Sequence, residues 1–298
     1  MAQPAYETYE RGPGGDILKT NGVLQVGRGA LNYTIVRPLE GVLHAEVPVL
    51  LPGFVAKRRL HEPLALEFAA EGYQSILVAH EAGGQAAREE VTELLGEAAE
   101  GAVHEELQSW MDVRPDIVPI GHSLGGGRAV YSVDQLRRQG VMLNKAVLEA
   151  AACFGGVHIF DAPRSVVREM RYMSGRHLGH ELAVARDALE YMVATGPWKL
   201  GEEIRFASHA KAVERTRRLV NDGVQVSAVS HPDDLLINNL ESGNGLRLAG
   251  VEDIVEVEAE YAGHNAQLYA TRAVFLALQR VIEGMRQPVS RADRETVR

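Results

Sequence analysis

Residues 116–127, Asp-Ile-Val-Pro-Ile-Gly-His-Ser-Leu-Gly-Gly-Gly, constrain this chain more than any other stretch. Positions 117–120 form a short apolar run of the kind that makes a buried parallel strand. A helix-like segment follows Gly125, so the chain must turn sharply within Gly121-His122-Ser123-Leu124-Gly125. A G-x-S-x-G turn between a strand and a helix holds its serine in strained backbone, and side chains two positions before and after would collide. The hydroxyl is pushed out of the strand end. The amide of Leu124 and the amino end of the helix face the same space.

The rest of the chain alternates in a way that suits such a strand. Short apolar runs at 47–51, 75–79, 145–150, 224–230 and 254–259 are separated by helical patterns, which predicts a mostly parallel sheet with helices on both faces. Two strand-forming runs at 23–29 and 31–37 precede them as an antiparallel pair, for about eight strands in all. Residues 1–20 read as polar loop, 85–111 as one long helical region, and Gly243-Asn244-Gly245 as loop. With 298 residues and 46% hydrophobic content, one large α/β unit is within reach. The rhythm breaks at 156–205, where two amphipathic segments follow each other with no strand between them. We read a small helical cap there, inserted into a core of 1–155 and 206–298; the alternative is a pair of ordinary helices packed on the sheet. In a cap, Met170, Met173 and Trp198 are candidate pocket walls, since methionines and aromatics line adaptable apolar sites.

A serine hydroxyl is a weak nucleophile until an imidazole takes its proton, and that imidazole needs a carboxylate behind it to hold one tautomer and support a positive charge. Ser123, the Asp233–Asp234 pair and His264 each fall just after an expected parallel strand. Strand carboxyl ends are where open α/β sheets place their sites, so one edge can gather all three. Among eleven histidines, His264 follows the last strand and lies 30 residues beyond Asp234. His122 reads as a packing residue beside the turn, and His231 as a supporting group near the acid or a plain loop residue. His177 and His180 share a helix face but have no third ligand at metal spacing.

On these residues the chain resembles the serine α/β hydrolases, a superfamily of esterases, lipases and their relatives. The match runs from about residue 23 to 285, with Pro52-Gly53-Phe54 after the third strand, Gly121-His122-Ser123-Leu124-Gly125 after the fifth, an aspartate after the seventh and Gly263-His264-Asn265 after the eighth. The superfamily's order of Ser, Asp or Glu, then His holds here. The resemblance implies an α/β-hydrolase fold and an acyl-enzyme on Ser123. His264 would be base and then acid, and Phe54 and Leu124 would supply the oxyanion-hole amides. The family's spacing lands on Asp234 as the acid, with Asp233 the alternative if the strand ends one residue earlier; His231 replaces the usual glycine three before it. Pro-Gly-aromatic is similar to polyester and dienelactone hydrolases, which usually lack a large cap. Carboxylic ester hydrolysis is the expected reaction. Thioester hydrolysis, acyl transfer, C–C hydrolysis or perhydrolysis would use the same triad, and a non-catalytic ligand-binding protein could keep the fold. No cofactor or metal is expected.

Composition narrows the partners. A formal net charge of −9 with no basic run argues against nucleic acid; the resemblance implies a small ester or acyl compound as the partner, and a homo-oligomer stays open. Cys153, the single cysteine, excludes an internal disulfide framework. The sequence shows no secretory signal and no stretch of 18 apolar residues, from which a cytoplasmic protein without a membrane span is the expectation.

Overall fold

A computed structural model describes residues 6–12, 15–27, 29–53, 60–79, 85–154, 164–165, 168–169, 186 and 209–285. Its strands are β1 (Tyr6–Gly12), β2 (Gly15–Val26), β3 (Gly29–Pro38), β4 (Glu46–Leu51), β5 (Ser75–Ala79), β6 (Asp116–His122), β7 (Lys145–Glu149), β8 (Gln225–Ser230) and β9 (Ile254–Glu256). Its helices are α1 (Glu62–Ala70), α2 (Gln85–Glu100), α3 (Ala102–Gln108), α4 (Leu124–Arg138), α5 (His209–Asn221), α6 (Asn239–Leu248) and α7 (Thr271–Gly284). The nine strands form one sheet in the order β1-β2-β3-β5-β4-β6-β7-β8-β9. The first three are antiparallel, and β4 through β9 run parallel.

Every residue of β4 and β7 is buried, which is why these strands read as continuous apolar runs. Their side chains still alternate between two cores. Val47, Val49, Leu51, Ala146 and Leu148 pack on one face with α2 through α6. Leu50, Val118, Ile120 and Val147 pack on the other with α1 and α7, where Phe68 meets Phe275 edge to face at 5.0 Å.

Three details differ from the sequence reading. The stretch read as N-terminal loop is mostly a β1–β2 hairpin closing at Gly12 and Gly15, so there are nine strands and each later one moves up by one. The helical region 85–111 is two helices broken at Gly101, where an added Cβ would lie 2.5 Å from Glu97 Cδ. Gly243 and Gly245 belong to α6, whose first turn is capped by the Asn238 side chain accepting from Leu240 and Glu241 amides. The cap expected at 156–205 lies almost wholly outside the described residues; 164–165, 168–169 and 186 within it are helical.

β4 sits between β5 and β6, so the chain leaves β4 toward one side of the sheet and later returns to the other. Such a switch point opens a crevice beyond the strand carboxyl ends. Pro52-Gly53 lies on one wall of this crevice and the turn after β6 on the other.

Candidate active site

The turn after β6 is as tight as its glycines suggest. Ser123 has φ 55° and ψ −121°, a conformation that L-residues rarely adopt. A Cβ at Gly121 would lie 2.6 Å from Gly126 Cα, and one at Gly125 would lie 2.9 Å from Pro52 O. The first glycine therefore lets the turn close on itself, while the second lets α4 approach the end of β4. The Ser123 backbone is held by its own N–H donating to Glu149 O at 2.9 Å, and by Gly126 and Ala152 amides donating to its carbonyl. Leu124 opens α4, so its N–H is among those with no partner inside the helix. Gly53 brings the β4 wall against the serine: a Cβ there would stand 2.9 Å from Ser123 Cβ and 3.4 Å from its Oγ. Phe54, the other expected oxyanion donor, lies outside the described residues, as do Met170, Met173, Trp198, His177 and His180.

Asp234 and His264 are brought together. His264 Nδ1 donates to Asp234 Oδ2 at 2.7 Å. Asp234 Oδ1 accepts from the Leu236 and Ile237 amides at 2.8 and 3.1 Å, so both carboxylate oxygens have fixed partners. Burial alone would raise the Asp234 pKa, but the neighbouring His264, His231 and the Leu236 amide hold it below the ordinary value. Burial works against a charged His264 too; the Asp234 carboxylate outweighs it, Glu169 and Glu149 add to this, and His264 titrates above the ordinary histidine range. Asp233 has different work. Its N–H donates to Ala262 O and its Oδ2 accepts from Ala262 N, which ties the loop after β8 to the loop after β9.

The loop carrying His264 is held at nearly every backbone group. His122 Nε2 donates to His264 O at 2.9 Å, so the residue beside Ser123 grips the histidine's own carbonyl. His122 is thus more than the packing residue that its sequence position suggests. Burial drops its pKa to about 3, leaving it neutral with the proton on Nε2. His231 Nδ1 donates to Gly263 O at 2.8 Å, and Gly263 N donates to the Tyr269 hydroxyl at 2.8 Å. From the far side the buried Glu169 accepts from Asn265 Nδ2 at 2.9 Å and from Ser165 Oγ at 3.3 Å. A Cβ at Gly263 would collide with Glu169, Tyr261 and Tyr269 oxygens at 2.8–2.9 Å, so only glycine lets these groups close over the loop.

Two carboxylates here escaped the sequence reading. Glu149 ends an apolar strand, and a charge in such a run is the one signal that marked it. Glu169 sits in the expected cap, and nothing in its local sequence points to the histidine loop. On the apolar side, Leu124, Ala152 and Ile237 form a small buried cluster, with Leu236 against it, separate from both cores. Among the described residues, no group of three or more His, Cys, Asp or Glu is arranged to hold a metal ion, and no helix is long and apolar enough to cross a membrane.

No protein-family model and no curated protein matches the chain. Solved structures do. A fungal esterase from Rhizomucor miehei superposes with a TM-score of 0.59 at 18% identity, covering 90% of this chain and 82% of the other. Brefeldin A esterase, a bacterial homologue of human hormone-sensitive lipase, gives 0.58 at 17%, covering 90% and 75%. An N-formylmaleamic acid deformylase from Pseudomonas putida S16 gives 0.55 at 13%, covering 87% and 99%. At these identities the likeness is one of fold.

Proposed function

The chain has the α/β-hydrolase fold, and from that premise we propose that it is a serine hydrolase acting on small carboxylic esters. The observation that carries this is the 2.7 Å His264–Asp234 hydrogen bond, in a loop whose His264 carbonyl is gripped by His122, next to the strained Ser123. With Nδ1–H committed to Asp234, Nε2 is the nitrogen left to accept the serine proton. Ser123 Oγ attacks the ester carbonyl as His264 takes that proton, and Asp234 supports the imidazolium. The oxyanion is met by the Leu124 amide, with the Phe54 amide as the second donor. His264 then returns the proton to the leaving alcohol, and the acyl-enzyme is released when His264 activates a water. The Leu124–Ala152–Ile237 cluster, which includes the residue after Ser123, is the apolar surface proposed to lie nearest the acyl group. Segment 156–205, proposed as a helical cap over the site, reaches the histidine loop through Glu169, which also accepts from Ser165 within the segment.

A fluorophosphonate probe tests the reading. Folded protein should be labelled at Ser123, and Ser123→Ala should lose both label and esterase activity. An unlabelled Ser123, or an active Ser123→Ala variant, would sink it.

A second reading keeps the same residues and changes the bond. The fold neighbours include a deformylase as well as esterases, so fold alone does not select the acyl substrate. A panel of p-nitrophenyl esters of rising acyl length, set beside thioester and N-formyl substrates, separates the two by kcat/KM.

A further inference from the structure

Glu149 is fully buried at the end of β7, where it is the cross-strand neighbour of His122 on β6 and of Val229 on β8. A carboxylate with no access to water is costly unless a polar or charged partner faces it. The group that faces it is His231, also fully buried, with Nε2 3.3 Å from Glu149 Oε1. That contact is within ion-pair range but is not aligned as a hydrogen bond.

The other ring nitrogen fixes one proton. Gly263 O can only accept, so His231 Nδ1, 2.8 Å away, carries a hydrogen. Nε2 then either carries a second proton toward a carboxylate or presents a lone pair to a protonated acid. Burial favours the protonated acid. The hydrogen-bonding capacity of His231 and the fields of His122, His231 and His264 outweigh it and hold the Glu149 carboxyl below its ordinary range. Glu149 is therefore held as a carboxylate against the His231 ring edge, sealed beneath the turn that carries Ser123.

We infer that Glu149 and His231 are positioning residues for His264: Glu149 fixes the His231 ring, and His231 holds the Gly263 carbonyl so that the loop presenting the base stays at the Ser123 turn. This rests on the proposed serine-hydrolase reading. It goes beyond that reading by assigning work to a second buried His–carboxylate pair that touches neither substrate nor Ser123 Oγ. The base is one residue beyond the gripped carbonyl, and a shift of about 1 Å in a reacting group can cost on the order of 100-fold in rate.

Three variants test it. His231→Ala removes the grip and should lower kcat about 100-fold with KM within about threefold, because the loop places the base rather than the substrate. His231→Asn keeps a donor near Gly263 O but leaves the buried Glu149 carboxylate without the ring that faces it, and should be poorly folded or poorly active. Combining His231→Asn with Glu149→Gln removes that charge while keeping the donor, and should restore kcat to within about tenfold of the parent. Amide hydrogen exchange across residues 261–265 should rise in His231→Ala and fall back in the double variant. A His231→Ala enzyme with parental kcat, a loss confined to KM, or a double variant no better than His231→Ala overturns the inference. If Ser123 of the parent is never labelled by fluorophosphonate, the functional reading fails instead, and exchange at 261–265 still decides whether the pair positions the loop.

Discussion

Replacing Asp234 by Asn changes one atom, and the structure dictates where that atom goes. Oδ1 is pinned by the Leu236 and Ile237 amides, both donors, so the carbonyl oxygen of the new amide stays there. The NH₂ group must then take the place of Oδ2, 2.7 Å from His264 Nδ1. Two donors cannot share that contact. His264 has to give up its Nδ1 hydrogen, accept from the amide and carry its proton on Nε2, the nitrogen that should receive the serine proton. Loss of a triad carboxylate by this wrong-tautomer route costs about 10⁴-fold in kcat, or about 5 kcal/mol of barrier. Asp233→Asn keeps an oxygen for the Ala262 amide and should stay within tenfold of the parent. The assay is steady-state hydrolysis of a p-nitrophenyl ester at neutral pH, with active sites counted by fluorophosphonate and folding checked by calorimetry. The reasoning fails if folded Asp234→Asn retains more than a tenth of parental kcat, or if Asp233→Asn loses as much as Asp234→Asn.

Other perturbations read other parts of the site. Gly53→Ala should place a methyl group 2.9 Å from Ser123 Cβ and cost about 100-fold in kcat at nearly unchanged melting temperature, since the displacement needed is under about 1 Å; activity within threefold of the parent would contradict it. Because His264 titrates above the ordinary value of about 6.5, kcat/KM should fall away as pH drops through that raised value. Glu169→Gln keeps an acceptor for Asn265 but removes a charge that supports the imidazolium, so it should move this acid limb to lower pH, as a pH–rate profile would show. Stability follows the same groups: the His264 contribution is full below its unfolded value and lost as pH rises through the raised one. The Asp234 contribution is full above its unfolded value and lost as pH falls through the lowered one. Thermal melts from pH 3 to 10 should therefore peak between the two.

How much could be read from the sequence depended on how local the cause was. Burial on both faces, which writes short apolar runs, made β4, β6, β7 and β8 legible, and the steric demand of one turn explained Gly121 and Gly125. The β1–β2 hairpin was hidden by Gly12-Pro13-Gly14-Gly15, which looks the same in a loop as in a hairpin turn. α6 was hidden by its two glycines, because the Asn238 cap and burial of Leu246 override their poor helix propensity. Asp233 and Asp234 could be placed by spacing, but their division of work depends on which loop each one touches. Glu149 was out of reach for a similar reason: nothing in its own strand reveals that β8 will deliver a histidine to face it.

The position of β6 in the sheet has a consequence for how the protein is made. Its neighbours are β4 and β7, so the serine turn can be built from residues 46–154 alone. His264 comes 141 residues after Ser123. At about 5–20 residues per second, a ribosome needs on the order of ten seconds to supply it. During that interval the emerging chain can carry a formed serine turn with no base to activate it and no imidazole ring to face Glu149. In the proposed mechanism, the nascent polypeptide is an unarmed enzyme until its last strand pairs with the sheet.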